Sequence, residues 1–369
     1  MKTTRFATID PQHVTDEALQ PFARMLAAGK TVAFPTETVY GLGADATNPR
    51  ALAAIFEAKG RPSDNPLIVH VAAMEDVAPL VKTVTPLARK LMAHFWPGPL
   101  TIILEKSPAV PDMVTAGLDT VALRMPAHPL ARRLIALAGV PVAAPSANQS
   151  GRPSPTRGSH VVKDLEGRVD AIIDGGPCEV GLESTVVDAT GSFPVILRPG
   201  GITREMLLMV VDHVAVDPAL TKKDFGGGES VTAPRSPGMK YTHYAPKAPL
   251  ILARSVQPAA TTTEAAHVLI TLALRHQKNE AAIGILCTDE TAAILAEMPE
   301  AAKPPLLVVK SLGSTHRPEE MAANLFLRLR EFDETPVSLI IAEALADNAL
   351  GFALMNRLVK AAGNQWEEA

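Results

Sequence analysis

The stretch from residue 212 to residue 248 is the part of this sequence that most limits how the chain can fold. It contains three consecutive glycines, Gly226, Gly227 and Gly228, followed by Pro234, Pro237 and Pro246. Glycines are costly to order and prolines remove backbone donors, so no single core threads through this stretch. Its composition is that of a linker, flexible at the glycines and stiffened where prolines recur. It divides the 369 residues into a first domain at 1–211, a linker at 212–248 and a second domain at 249–369, in line with the usual size of a core. The later half of the linker, SPGMKYTHYAP, carries Lys240, Tyr241, His243 and Tyr244. A plain spacer does not need those side chains, so the segment reads as a flap, with Tyr241 and Tyr244 expected at an active site.

Upstream of the linker, short β-branched runs alternate with helical patterns. TVAFPT (31–36), PLIVHV (66–71), LTIILE (100–105), TVALRM (120–125), PVAAPS (141–146), DAIIDG (170–175), STVVDA (184–189) and PVILRP (194–199) read as strands. Residues 49–60, 85–95 and 128–139 read as helices, the last closed by Gly139. The fold class is therefore α/β, with a large twisted mixed sheet and packed helices in the first domain. Downstream, four continuous apolar runs alternate with four helices. That pattern predicts a smaller, parallel, Rossmann-like domain.

Composition excludes several classes. Hydrophobic residues are 47% and charged residues 20%, as in ordinary globular chains. No apolar run approaches membrane-spanning length. The N-terminus has no signal-peptide pattern, and the two cysteines, Cys178 and Cys287, form no CxxC; a cytoplasmic location is the expectation. Residues 1–211 carry 20 basic and 20 acidic side chains, so the net charge of −4 lies in the remainder. Without a basic stripe, tight tRNA binding is not expected.

The motifs cluster at strand ends. AAGKT (27–31) lacks the upstream glycine of a phosphate loop and precedes a strand. GLGADA (41–46) is too far from its strand for a dinucleotide turn and reads as turn chemistry. In AKGRPSDNPL (58–67), Lys59, Arg61, Ser63 and Asn65 alternate, which in extended chain aims two cations and two hydrogen-bonding groups to one side. A triphosphate needs such a clamp. APSANQSGRPSPT (144–156) offers Ser146, Ser150 and Ser154 as a hydroxyl-rich anion loop, and LRPGGIT (197–203) adds Arg198. Each of these also has a bland reading as a solvated loop.

Their order along the chain carries more than any one of them. PTETVYGLG, KGRPSDNPL, FWPGPLT, RMPAHP, APSANQSGRPSPT, GLESTVVD and LRPGGIT, then SPGMKYTHYAP and a small α/β domain, resemble the YrdC-like threonylcarbamoyl-AMP synthase family in its long, two-domain form. The resemblance implies a nucleotidyltransferase that converts L-threonine, bicarbonate and ATP, with Mg2+, into threonylcarbamoyl-AMP and pyrophosphate. A separate tRNA threonylcarbamoyl transferase would consume the product. It further implies Lys59 and Arg61 as catalytic residues. Arg61, Asn65, Thr120, Ser146, Ser154, Arg198 and Tyr241 would bind ATP. Thr38, His70, Arg124, Ala144 (through its backbone) and Ser184 would bind threonine. No protein metal ligand is implied. Read without the family, the residues also allow an RNA-binding module or a carbamoyl-transfer enzyme acting on another amine.

Overall fold

The computed structural model describes residues 2–221, 243–254, 261–277 and 281–369. The chain separates into two compact units, Met1–Ser150 with Ser154–Tyr241, and Gly151–Pro153 with Thr242–Ala369. Lys240 and Tyr241, and with them most of the expected flap, lie outside the described residues.

The first unit contains β1 (Arg5–Thr8), β2 (Val32–Phe34), β3 (Gly41–Asp45), β4 (Ile68–His70), β5 (Leu100–Glu105), β6 (Thr120–Arg124), β7 (Val142–Ala143), β8 (Ala171–Asp174), β9 (Thr185–Asp188), β10 (Val195–Arg198) and β11 (Ala215–Val216). They form one sheet in the order β1-β8-β2-β3-β7-β4-β6-β5-β9-β10-β11. Pairing is mixed: β4 and β6 run parallel, while β7 is antiparallel to both β3 and β4. Its helices are α1 (Asp16–Ala27), α2 (Pro49–Lys59), α3 (Pro86–Phe95), α4 (Asp112–Thr115), α5 (Pro129–Ala138), α6 (Gly158–Leu165), α7 (Arg204–Leu208) and α8 (Pro218–Thr221).

Strand alternation sorts the core onto two faces. Val32, Phe34 and Ile173 pack with Leu19, Phe22 and Leu26 of α1 and Leu130 and Leu134 of α5. The intervening Ala33 and Ile172 pack with Ile55 of α2 and Val161 and Leu165 of α6. All eight predicted strands belong to this sheet. One expectation fails: GLGAD, read as turn chemistry, is strand β3. Its Gly43 is there for packing, since a Cβ would sit 2.6 Å from the Phe34 ring and 2.8 Å from Val142. The sheet also runs past Val211, because β11 pairs in parallel with β10.

The second unit has β12 (Leu250–Arg254), β13 (Ala282–Cys287), β14 (Leu307–Ser311), β15 (Val337–Glu343) and β16 (Trp366–Glu368) in the order β14-β13-β15-β12-β16. Every pair is parallel. Helices α9 (Thr262–His276), α10 (Asp289–Glu297), α11 (Pro318–Phe332) and α12 (Ala349–Ala361) make the crossovers. Within this unit Arg152 pairs with the buried Asp333 at 2.6 Å, and Arg330 donates to the Pro153 carbonyl. Tyr244, expected at an active site, is instead a buried core residue here. Its ring lies 5.1 Å from Phe326, with the Arg357 guanidinium 5.9 Å from its centroid. An aromatic ring with an apolar partner available gains more from burial than from solvent. Cys178 in the first unit and Cys287 in the second are free and buried, and burial pushes both thiols well above their ordinary range.

Candidate active site

The middle of the first sheet, where β7, β4 and β6 lie side by side, brings together four of the predicted residues, Thr38, His70, Arg124 and Ala144. His70 ends β4 and Arg124 ends β6, and the two are register partners. Ala144 follows β7 and donates its N–H to the Ile68 carbonyl at 2.9 Å; a backbone contact from Ala144 to a ligand therefore falls to its carbonyl.

The loop from β2 to β3 supplies Thr38. Thr36 shapes that loop by donating its hydroxyl to the Val39 carbonyl (2.6 Å) and accepting from the Thr38 and Val39 amides. Its only proton being spent, Thr36 accepts from the Thr38 hydroxyl at 2.8 Å. The Thr38 oxygen in turn accepts from Arg124 Nη1 at 2.9 Å. Arg124 Nε donates to the Gly98 carbonyl at 3.3 Å, and Nη2 lies 2.7 Å from Glu37 Oε1. The guanidinium is thus held on three sides.

Glu37 was not anticipated. Burial pushes its carboxyl up, but the adjoining Arg124 charge together with donors from Arg124, the Ala127 backbone and its own amide outweighs this and leaves it below the usual carboxylate range. Its signal was its position between two threonines in PTETV, where a carboxylate next to a strand end is unusual among buried residues. His128, also unanticipated, is held low by burial and has an unpartnered buried Nδ1. His70 Nδ1 and both amide atoms of Asn65 are likewise buried without a hydrogen-bond partner among the described residues. Buried polar atoms are nearly always satisfied, so this concentration marks a place that a polar ligand or water completes.

Burial, followed by the Arg124 charge, lowers the His70 pKa to about 3. The unfolded chain takes up a proton near the ordinary value of ~6.5, whereas the folded one stays neutral down to about 3. Stability is therefore expected to be lost as pH falls through that window, by up to ~1.4 kcal/mol per pH unit. Urea melts of a His70→Asn variant between pH 7 and 4 should show a shallower loss than the parent; parallel curves would contradict the assignment.

A second cluster is built around the loop at 144–156. Lys59, expected in extended chain, is the last residue of α2, a helix capped by Asn48 and ended by Gly60 in the left-handed conformation. The strict alternation from 59 to 65 is therefore not an extended face, because Gly60 closes the helix just where the extended reading required a strand. The Lys59 ammonium is buried and donates to the Ser146 and Asn148 carbonyls. Ser146 donates to Asn148 Oδ1 at 2.6 Å, and Ser154 donates to the Glu183 carboxylate. Arg61 donates through Nη2 to the Asn65 and Pro66 carbonyls.

On the other side, Arg198 at the end of β10 donates from Nε to the Ser184 carbonyl (3.0 Å) and from Nη2 to the Ser184 hydroxyl (3.1 Å). Ser184 also meets the Thr101 hydroxyl at 2.7 Å. Gly200 allows this approach: a Cβ there would sit 2.4 Å from the Glu183 carbonyl and 2.5 Å from the Thr185 nitrogen. Thr120 stands apart, at the opposite end of β6 from Arg124 and ~13 Å away along the strand. Tyr241 lies outside the described residues.

Comparison with known proteins fits this arrangement. The Sua5/YciO/YrdC profile, described as telomere recombination, matches residues 24–200, and the threonylcarbamoyl-AMP synthase C-terminal domain profile matches 202–363. A threonylcarbamoyl-AMP synthase of Bacillus subtilis is 46% identical over 99% of both chains. The chain belongs to the threonylcarbamoyl-AMP synthase family. Another member, from Pyrococcus abyssi, is 46% identical over 92% of this chain and 93% of its own. The crystal structure of P. abyssi Sua5 complexed with L-threonine superposes with a TM-score of 0.87 at 41% identity, covering 99% of this chain and 100% of that one. As in that family, the chain pairs a large mixed-sheet domain with a smaller parallel one, and family members are ATP-using transferases.

Proposed function

We infer that this chain condenses L-threonine, bicarbonate and ATP into threonylcarbamoyl-AMP and pyrophosphate, the activated intermediate for threonylcarbamoyladenosine in tRNA. The observation that carries the reading is the Thr38–Arg124–His70 cluster at adjoining strand ends, rich in unsatisfied buried polar atoms, in a chain of this family.

Threonine's carboxylate pairs with Arg124, whose planar guanidinium suits it, while Thr38, His70, the Ala144 carbonyl and Ser184 hold the remaining polar atoms. Arg61, Asn65, Ser146, Ser154 and Arg198 hold the nucleotide, with Thr120 and Tyr241 as its more distant contacts. The threonine amine captures CO2 as a carbamate. A carbamate oxygen then attacks the α-phosphorus and pyrophosphate leaves. Positioning and charge stabilisation supply the catalysis, and no covalent enzyme intermediate is needed. Lys59 serves by holding the Ser146–Asn148 backbone in place. His70, its pKa lowered to about 3, is uncharged at neutral pH, keeps one ring N–H, and acts as a hydrogen-bonding group. Mg2+ enters with ATP, carried by phosphate oxygens and water. The product passes to a separate tRNA threonylcarbamoyl transferase in the cytoplasm.

The test is to incubate the protein with ATP, bicarbonate and single amino acids, and to identify the adenylate by mass. Pyrophosphate release is expected to require all three, with threonine ahead of serine. Equal release without any amino acid would make the protein a plain ATPase.

A further inference from the structure

The most unusual group in the first unit is Glu37. Its carboxylate and the Arg124 guanidinium are 2.7 Å apart, with side chains only 6% and 4% exposed. Arg124 spends Nε on the Gly98 carbonyl and Nη1 on Thr38, while Nη2 and both Glu37 carboxylate oxygens make no well-directed hydrogen bond among the described residues. A buried ion pair whose carboxylate lone pairs lack well-directed donors is a poor stabilising device, because desolvation of both charges can exceed their attraction. The pair is therefore better explained by what it does to a ligand.

Resting on the threonine reading above, we propose that Glu37 is a specificity-determining residue that makes the amino-acid site selective for zwitterions. Arg124 alone would be a buried cation open to any small carboxylate. With Glu37 beside it the pocket carries no net charge. Of the other titratable groups around it, burial favours the neutral forms of His70, His128 and the Cys178 thiol, and the Glu179 carboxylate that also acts on His128 and Cys178 is exposed, where solvent screens its charge. A simple carboxylate entering this neutral pocket leaves one buried negative charge uncompensated. An α-amino acid brings its own positive charge, so its carboxylate meets the guanidinium while the pocket as a whole stays neutral. Like-charge juxtaposition in a dry site is a strong means of rejecting the wrong partner. Simple carboxylates without an ammonium are thereby kept out of the amino-acid position.

The experiment compares three ligands of the same carbon skeleton on the full-length protein without ATP, by calorimetry. They are L-threonine, 3-hydroxybutanoate (no ammonium) and 2-aminobutane-1,3-diol (no carboxylate). The wild-type protein should bind threonine roughly 30-fold or more tighter than either analogue. In Glu37→Gln, threonine should weaken and 3-hydroxybutanoate strengthen, bringing their affinities to within about threefold. A merely structural role for Glu37 would weaken both together and leave the ratio unchanged, which overturns the proposal. If the variant does not fold, the wild-type arm decides: 3-hydroxybutanoate binding within threefold of threonine overturns the proposal while the enzymatic reading stands. Absence of any threonine binding by the wild type would overturn both.

Discussion

Arg198→Ala is expected to lower kcat/KM for adenylate formation by roughly two to three orders of magnitude, equivalent to ~2–4 kcal/mol of transition-state stabilisation. The side chain is buried at the end of β10 and holds Ser184 by two bonds, one to its carbonyl and one to its hydroxyl. On the proposed reading, alanine removes a preorganised cation from the phosphate site, where negative charge develops. It also releases Ser184, which then keeps only its Thr101 partner to orient it. Arg61→Ala should fall in the same range. Lys106→Ala is the control: Lys106 pairs with the exposed Asp112 and donates to Thr115, outside the motifs and away from the two clusters, so activity should be near that of the parent. Steady-state pyrophosphate release measures all three. Normal activity in both arginine variants would place the phosphate site elsewhere.

Lys59→Met should be nearly as damaging, but in a different way. The buried ammonium holds the Ser146 and Asn148 carbonyls together, and methionine keeps the volume without the donors. Each buried acceptor left without a partner costs ~1–3 kcal/mol, so the variant should melt several degrees lower. The loop bearing Ser146 loses its anchor, and the KM for ATP should rise about tenfold or more for a comparable loss of positioning. Threonine affinity in the absence of nucleotide should be little changed, since Arg124 and Thr38 are held independently. An unchanged melting temperature with a reduced kcat would instead mean that Lys59 acts on phosphate directly.

These two cases also show what could be read from the chain in advance. The strands were legible because Val, Ile and Leu runs such as LTIILE and STVVDA stand between clear turn residues. The arginines were singled out because the motifs that carry them stand in the order of the family they resemble. Lys59 was misread because an i, i+2 spacing of polar residues says nothing of whether Gly60 ends a helix between them. GLGAD was misread for a related reason. Glycine marks a turn when considered locally, but here Phe34 and Val142 take the volume that a side chain would need. That is a tertiary fact with no local trace. Helix α1 went unread because Pro21 interrupts its pattern, although its Leu19, Phe22 and Leu26 are fully engaged in the core. Glu37 and His128 escaped because their roles depend on which side chains the sheet topology sets opposite them.

The burial of Cys178 and Cys287 makes the protein convenient to instrument. These are its only two thiols, and neither exposes a usable thiolate at neutral pH. Maleimides and nitroxide reagents will therefore pass over the native chain. A cysteine introduced at any exposed position becomes the sole site of attachment, without first replacing the native pair. Fluorophores or spin labels placed singly along residues 222–242 can then report on that segment in the unaltered enzyme as ATP and threonine are added.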